Sequence, residues 1–322
     1  MSAGAAERTG LLSRIAETLF WTGRYIERAD DTARMVDVYV HRMLVEPQAD
    51  EDRGCSALLA VLGMPPPDEG RLTIGLTLDR LAYDRASASA IAGAVLAARA
   101  GARSVREVIS GEMWECLNVS ALKLPGQRRA AERLGPHVYL RFVRERAALF
   151  FGLADSTMSH DDAWRFLLLG RSVERVDMTA RMLLARMPDT PAELGWQMLL
   201  HACGAYESFL RSRSWTGGES QRVADFLILD RLFPRSVLNA LVTAEDCLAA
   251  LDPGPVRAGM GDPARRPIGR MRTRLEYADP QLLPEQITTL VNALQQTCLE
   301  ASEAITARYF SYAQPVAWER GT

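Results

Sequence analysis

GRYIERADDTARM at residues 23–35 and GRSVERVDMTARM at residues 170–182 are two writings of one charged helical segment. They agree at nine of thirteen positions, at an offset of 147 residues. In the first copy Ile26, Ala29, Ala33 and Val36 recur three and four apart, as one face of an α-helix requires. Arg24, Glu27, Arg28, Asp30 and Arg34 fall on the opposite arc with Gly23. The charges are what the copies share: Arg171, Glu174, Arg175, Asp177 and Arg181 repeat them in the second copy. A duplication that left only a scaffold would match best along its apolar stripe, because cores resist changes of volume.

Working outward, helical periodicity extends over residues 11–45, with Pro47 as the stop, and over 160–187, with a capping hydroxyl at Ser159 and a stop at Pro188. Further helices are predicted at 55–63, 72–83, 88–116, 127–152, 192–211, 222–231, 235–251, 264–277 and 284–310. Breaks are predicted at MPPPDEG (64–70), KLPGQ (123–127), SWTGGES (214–220) and DPGPVRAGMGDP (252–263), the last read as a mobile loop. Alternating strand patterns are missing. The expectation is an all-α helical bundle built from two related halves with pseudo-twofold symmetry, treated as one domain over 1–322. The halves run roughly 11–122 and 158–265, followed by a C-terminal helix over 284–310. The repeat continues weakly at an offset of 146, where Asp84-Arg85, Ser89 and Ile91 stand opposite Asp230-Arg231, Arg235 and Val237.

Composition narrows the function classes. The chain is 48% hydrophobic and 24% charged with a formal net charge of -2, which suits a globular protein and gives no basic footprint for nucleic acid. Lys123 is the only lysine, so nearly every cation is an arginine. A GC-rich genome and a need for forked donors to carboxylate or phosphate both account for this. Cys55, Cys116, Cys203, Cys247 and Cys298 show no CxxC spacing and read as small core residues in a reducing compartment. The first residues lack a signal-peptide pattern, and the charge-free run Ala86–Ala98 is too short to cross a bilayer. A cytoplasmic location without membrane contact is expected.

Three readings of the repeated charges stand open. Asp30–Arg34, Asp177–Arg181 and Arg24–Glu27 are helix-surface pairs by spacing. The two helices could instead cross at Gly23 and Gly170, with Glu27 meeting Arg175 and Glu174 meeting Arg28, or the charges could face a ligand. A second arginine set, Arg99, Arg103 and Arg106, is read as a helix stripe able to bind an anion, and Arg235 as a further donor at a helix start. Phosphate-loop, dinucleotide, nucleophile-elbow and metalloprotease motifs are absent, and His41, His137, His160 and His201 are isolated. The acid pairs Asp30-Asp31 and Asp161-Asp162 do not extend to DDxxD. No metal or cofactor is expected.

LLSRIAETLFWTGRYIERADDTARM (11–35), the second GRSVERVDMTARM, ARAGARSVREVISGEMWECLN (98–118) and DFLILDRLFPRSV (225–237) together resemble the alpha-E family, an all-helical family with a Glu-Arg motif. The chain departs from it at ASASAI (86–91), where an Asn-Pro turn is expected. The resemblance implies partners: a circularly permuted ATP-grasp protein and a transglutaminase-like protein, in a peptide-ligation or peptide-tagging system. The expected role is an accessory or substrate-binding subunit that docks the ligase, or presents a peptide or amino acid, through the Glu-Arg face. The alternative is an enzyme using Glu27 or Glu174 as general acid or base, with the arginines holding an anionic substrate.

Overall fold

A computed structural model of the chain describes residues 13–45, 50–65, 70–184, 192–212, 217–252, 262–278 and 284–310. Pro47, Pro188, residues 11 and 12, and the predicted loop over 253–261 lie outside the described residues. Those described form thirteen α-helices and no strand: α1 Ser13–Val45, α2 Glu51–Val61, α3 Ile74–Leu78, α4 Ile91–Ser104, α5 Gly111–Leu134, α6 His137–Thr157, α7 Asp162–Leu184, α8 Ala192–Ala202, α9 Tyr206–Arg211, α10 Glu219–Leu229, α11 Val237–Leu251, α12 Arg265–Glu276 and α13 Pro284–Ile305. Short π-helical turns, Asp79–Tyr83 and Thr306–Phe310, extend α3 and α13.

The helices begin where side chains satisfy their first free N–H groups. Asp50 accepts from the Arg53 amide, Ser110 from Met113 and Ser236 from Asn239. At α7 the cap is Asp161, which accepts from the amides of Ala163 and Trp164 at 3.0 and 3.4 Å, so the helix starts two residues later than Ser159 suggested.

Several predicted boundaries move, each for a physical reason. KLPGQ is helix: α5 runs through Pro125, which removes one backbone donor. Met113, Cys116, Leu117, Ala121 and Leu124 on one face are buried, and Arg146 of α6 donates to the Ser120 hydroxyl and the Cys116 carbonyl. Packing against α6 outweighs the lost bond. The break falls instead at Gly135-Pro136, where Gly135 at φ 99° closes α5 on the Ala131 carbonyl. The expected helix 88–116 is split at 105–110, and 192–211 is split at Gly204. Asp84 and Ser87 hold the ASASAI loop by accepting from the amides of Ala86 and Ser89.

At the centre, α1 lies against α7. Helices α4 and α6 cover α1, α11 and α13 cover α7, α5 links α4 to α6, and α12 links α11 to α13. Phe20, Tyr39, Tyr139, Phe150 and Phe226 are fully buried in this core, and all five cysteines are buried free thiols. The two central helices touch backbone to backbone. A Cβ on Gly23 would strike the Leu167 carbonyl, and one on Gly170 the Phe20 carbonyl.

This close approach is testable. Gly170→Ala is expected to lower stability by about 1–3 kcal/mol, because backbone cannot yield as a side-chain tip does. Gly152→Ala in α6, where a Cβ meets nothing within 4 Å, should raise stability by about 0.5–1 kcal/mol through helix propensity. Urea unfolding of both variants checks the contrast, and matching gains would mean that the crossing is not tight.

Candidate functional site

Because both glycines sit at the contact, residues one turn along each helix must also face the partner helix rather than water. Glu27 and Glu174 are each 0% exposed. A carboxylate so placed stays ionised only if guanidinium groups replace its water. Glu174 accepts from Arg24 Nε at 2.7 Å and from Arg28 Nε at 2.5 Å and Nη2 at 3.0 Å. Glu27 accepts from Arg175 Nε at 2.5 Å and Nη2 at 3.4 Å. Arg171 and Arg235 lie at ion-pair distance from Glu27, 3.4 and 3.1 Å. Arg171 also lies over the Phe151 ring, 4.0 Å from its centroid.

The outer acids pair within their own helices. Arg34 donates to Asp30 at 3.1 Å, and Arg181 to Asp177 at 2.9 Å. These arginines also reach the connections beyond: Arg181 donates to the Val61 carbonyl at the end of α2, while Arg34 lies under Gly204 between α8 and α9. Arg24 reaches Ser302 of α13 at 3.2 Å and lies over the Trp21 ring. Thus the ten motif residues named from the sequence are brought together, and they face inward. A Glu-Arg face open to a partner or ligand is the expectation that fails here, since the close glycine crossing leaves no gap above the carboxylates.

Arg235 was read as a donor for an external anion. Its guanidinium is instead occupied by Asp30, Asp31 and Glu27, and its connection is pinned to α7 by Arg175 on the Pro234 carbonyl and Thr179 on the Arg235 carbonyl. The sequence carried a signal for this contact. Asp31 corresponds to Met178 and Arg235 to Ser89, so the repeat departs from itself at both members of one ion pair.

The other arginine set does not form a stripe. Helix α4 ends at Ser104, which puts Arg106 in the following turn. Arg99 and Arg106 both lie against the Trp114 ring, 5.8 and 5.2 Å from its centroid. Arg99 is committed to Asn118 at 2.8 Å, and Arg103 is exposed. Missed altogether was a pairing between α6 and α1: Arg144 Nη1 donates to Asp37 Oδ2 at 2.9 Å. Neither residue lies in a motif, so only the packing of α6 on α1 could reveal it.

Charge and burial set the titration of the cluster. Burial works against the Glu27 charge, but Arg175, Arg235 and Arg171 overcome it and hold the carboxyl at about 2. Burial likewise opposes Glu174, and Arg24 and Arg28 bring it below its ordinary value. Asp31 goes the other way: burial, with the charges of Glu27 and Asp30, outweighs Arg235 and pushes it up to about 7. Burial and the neighbouring Arg175 lower Arg171 to about 10. The arrangement can hold two helices in register and can store a proton at Asp31. It offers no solvent-facing carboxylate for acid–base work, because both glutamates are sealed.

Two outcomes follow from this geometry. Arg175→Ala, which leaves buried Glu27 short of its closest donor, should cost about 3–5 kcal/mol. Arg141→Ala, in a pair whose partners are 66% and 69% exposed, should cost under about 1 kcal/mol in the same denaturation assay. Between about pH 4 and about 7 the folded chain retains a proton on Asp31 that the unfolded chain has released. Stability should therefore fall as pH rises through that window, and Asp31→Asn should flatten the fall. Below about pH 4.5 the depressed Glu27 reverses the sign, so stability should drop again as pH approaches 2. Melting temperatures measured across pH 2–8 for both chains check these slopes.

Comparison with known proteins places the chain. A family model described as Alpha-E, a predicted alpha-helical domain with a conserved ER motif, matches residues 11–310, and the chain belongs to that family. An uncharacterized protein of Mycobacterium bovis is 25% identical, over 91% of this chain and 36% of its own length. An uncharacterized protein of Mycobacterium tuberculosis is 24% identical over the same shares. The chain thus spans about a third of the length of these relatives. No solved structure matches it. Among the described residues no helix is long and apolar enough to cross a membrane.

Proposed function

We propose that this Alpha-E protein is a cytoplasmic helical accessory or substrate-binding subunit of an ATP-grasp peptide-ligation system, with the Glu-Arg motif as its internal clamp. The observation that carries this reading is the complete burial of Glu27 and Glu174, each ringed by arginines of the same fold. A motif spent on holding two helices together leaves the outer helices to meet a partner. The partners are a circularly permuted ATP-grasp protein and a transglutaminase-like protein. The length of the mycobacterial relatives, which extend well beyond the matched region, accords with a domain that works beside others.

The same reading takes residues 1–322 as one domain of two halves related by a pseudo-twofold axis. Reciprocal contacts support it: Gly23 against α7 and Gly170 against α1, Glu27 with Arg175 and Glu174 with Arg28, Arg34 under one glycine turn and Arg181 beside another. Backbones of 13–104 and 162–251 that fail to superpose would remove it. An enzyme using Glu27 or Glu174 as acid or base would need an opening to these carboxylates, and no observation favours one.

The purified chain should neither hydrolyse ATP nor join amino acids by itself, and should raise the rate of the ATP-grasp protein when the two are mixed. Turnover by this chain alone, or a ligase indifferent to its presence, overturns the subunit reading.

A further inference from the structure

Helix α12 carries five arginines and one acid in twelve residues, in a chain whose formal net charge is -2. Two of the five are matched. Arg265 and Arg272 turn toward α11 and donate to Glu245 at 3.1 and 2.5 Å, and Arg272 also meets Glu276. The other three, Arg266, Arg270 and Arg274, are exposed, and their side chains make no hydrogen bond or ion pair among the described residues. They stand four residues apart, so they rise along one face of the helix at intervals of about 6 Å. Such a row does not serve the fold. Like charges four apart oppose one another on a helix, and Arg266 sits in the first turn, where the helix dipole favours an acid.

Beside the row runs a groove of about 360 Å³ between α12 and α13, floored by Pro267 and Met271, with Thr297 and Glu300 on its far wall. Its lining lies wholly within the described residues. Glu300 is the one acid in that lining, and the Thr297 hydroxyl is spent on the Ala293 carbonyl. Tyr277, 82% exposed, stands on the arginine arc about two turns past Arg270. An apolar floor, a cationic rim and an open tyrosine on one face are what protein-binding surfaces are made of, since arginine and tyrosine are enriched there.

We infer that this face docks an acidic amphipathic helix of a partner protein. Carboxylates at every fourth residue of such a helix repeat at the same interval of about 6 Å, so three of them meet Arg266, Arg270 and Arg274 in register while neighbouring apolar side chains enter the groove. A single small anion does not fill the row, which spans about 12 Å. Nucleic acid is opposed by Glu300, and one tyrosine does not make the interleaved stacking platform that strand-binding surfaces use. The tail of this chain is not the occupant, since residues 311–322 hold one acid, Glu319, beside Arg320. The inference rests on the subunit reading above and names the chemistry of the docking partner. Peptide binding is read on the chain by itself and rate enhancement with the ligase present, so the two fail separately.

Fluorescence anisotropy of the full chain with labelled helical peptides tests it. The first peptide has three glutamates four residues apart with a leucine after each. The second has glutamine in place of glutamate, and the third reorders the same residues so that the glutamates fall on different faces. The first should bind at about 20 mM salt and weaken about tenfold at about 300 mM, because exposed charge pairs are screened. The second and third should bind about tenfold or more weakly. Arg266→Gln, Arg270→Gln and Arg274→Gln combined should cost the first peptide about tenfold or more in affinity, with a melting curve matching the unaltered chain, since the row has no ion pair to lose. A charge-matched control, Arg85→Gln, Arg103→Gln and Arg129→Gln combined, should leave binding unchanged. No binding of the first peptide, equal binding of the second or third, tighter binding of an oligothymidylate of equal charge, undiminished affinity in the first triple variant, or an equal loss in the control overturns the assignment.

Discussion

Two ionised glutamates without access to water are the constraint on which the rest of the molecule depends. Glu27 and Glu174 lie between the central helices because glycine at 23 and 170 draws the backbones into contact. Once there, each needs guanidinium donors within reach, and the closest come from the opposite helix, since the glutamate's own helix presents its neighbours to the sides. Arg175 serves Glu27 and Arg24 with Arg28 serves Glu174. Sliding one helix by a turn would strand both carboxylates at once, so the network sets the register of α1 on α7 even if its net contribution to stability is small.

The cluster is not merely doubled. Asp31 and Arg235 add an ion pair on one side, where the other side has Met178 and Ser89. That pair ties the connection before α11 to α1, while Arg175 and Thr179 tie it to α7. Seven arginines then stand against five carboxylates, an excess that keeps both glutamates charged while leaving Asp31, the most crowded acid, ready to take up a proton. Repetition of the charges therefore has a structural cause: each copy supplies acids to, and receives arginines from, the other.

A sealed clamp in the interior and an open cleft at the rim are separated along the same helix. Glu27 and Asp37 both belong to α1, but only the second lies where α6 and α8 leave a cleft. Alpha-E membership describes the helical scaffold and its motif. With both motif glutamates sealed between α1 and α7, contacts to other molecules must be made by surfaces that these carboxylates do not occupy.

Helical period, the pair of GR..ER..D.TAR.M segments and the glycine within each were enough, from sequence alone, to determine an all-α protein and to offer the pairing of Glu27 with Arg175 and Glu174 with Arg28 as one of three readings, between which burial of both glutamates decided. Those features are local or repeat in register, so they can be read along one chain. The GP step at 135–136 was equally local, and it, not Pro125, is where α5 ends. Continuation through Pro125 was decided by burial of Leu117, Ala121 and Leu124 against α6, a contact that has no trace in the neighbouring residues. For the same reason only the tertiary structure could turn Arg235 inward to Asp30 and Asp31, put Arg99 and Arg106 on Trp114, and set Arg144 beside Asp37. A charged side chain's partner depends on which helices pack together, and an arginine reads the same in the sequence whether it meets water, a ring or a buried carboxylate.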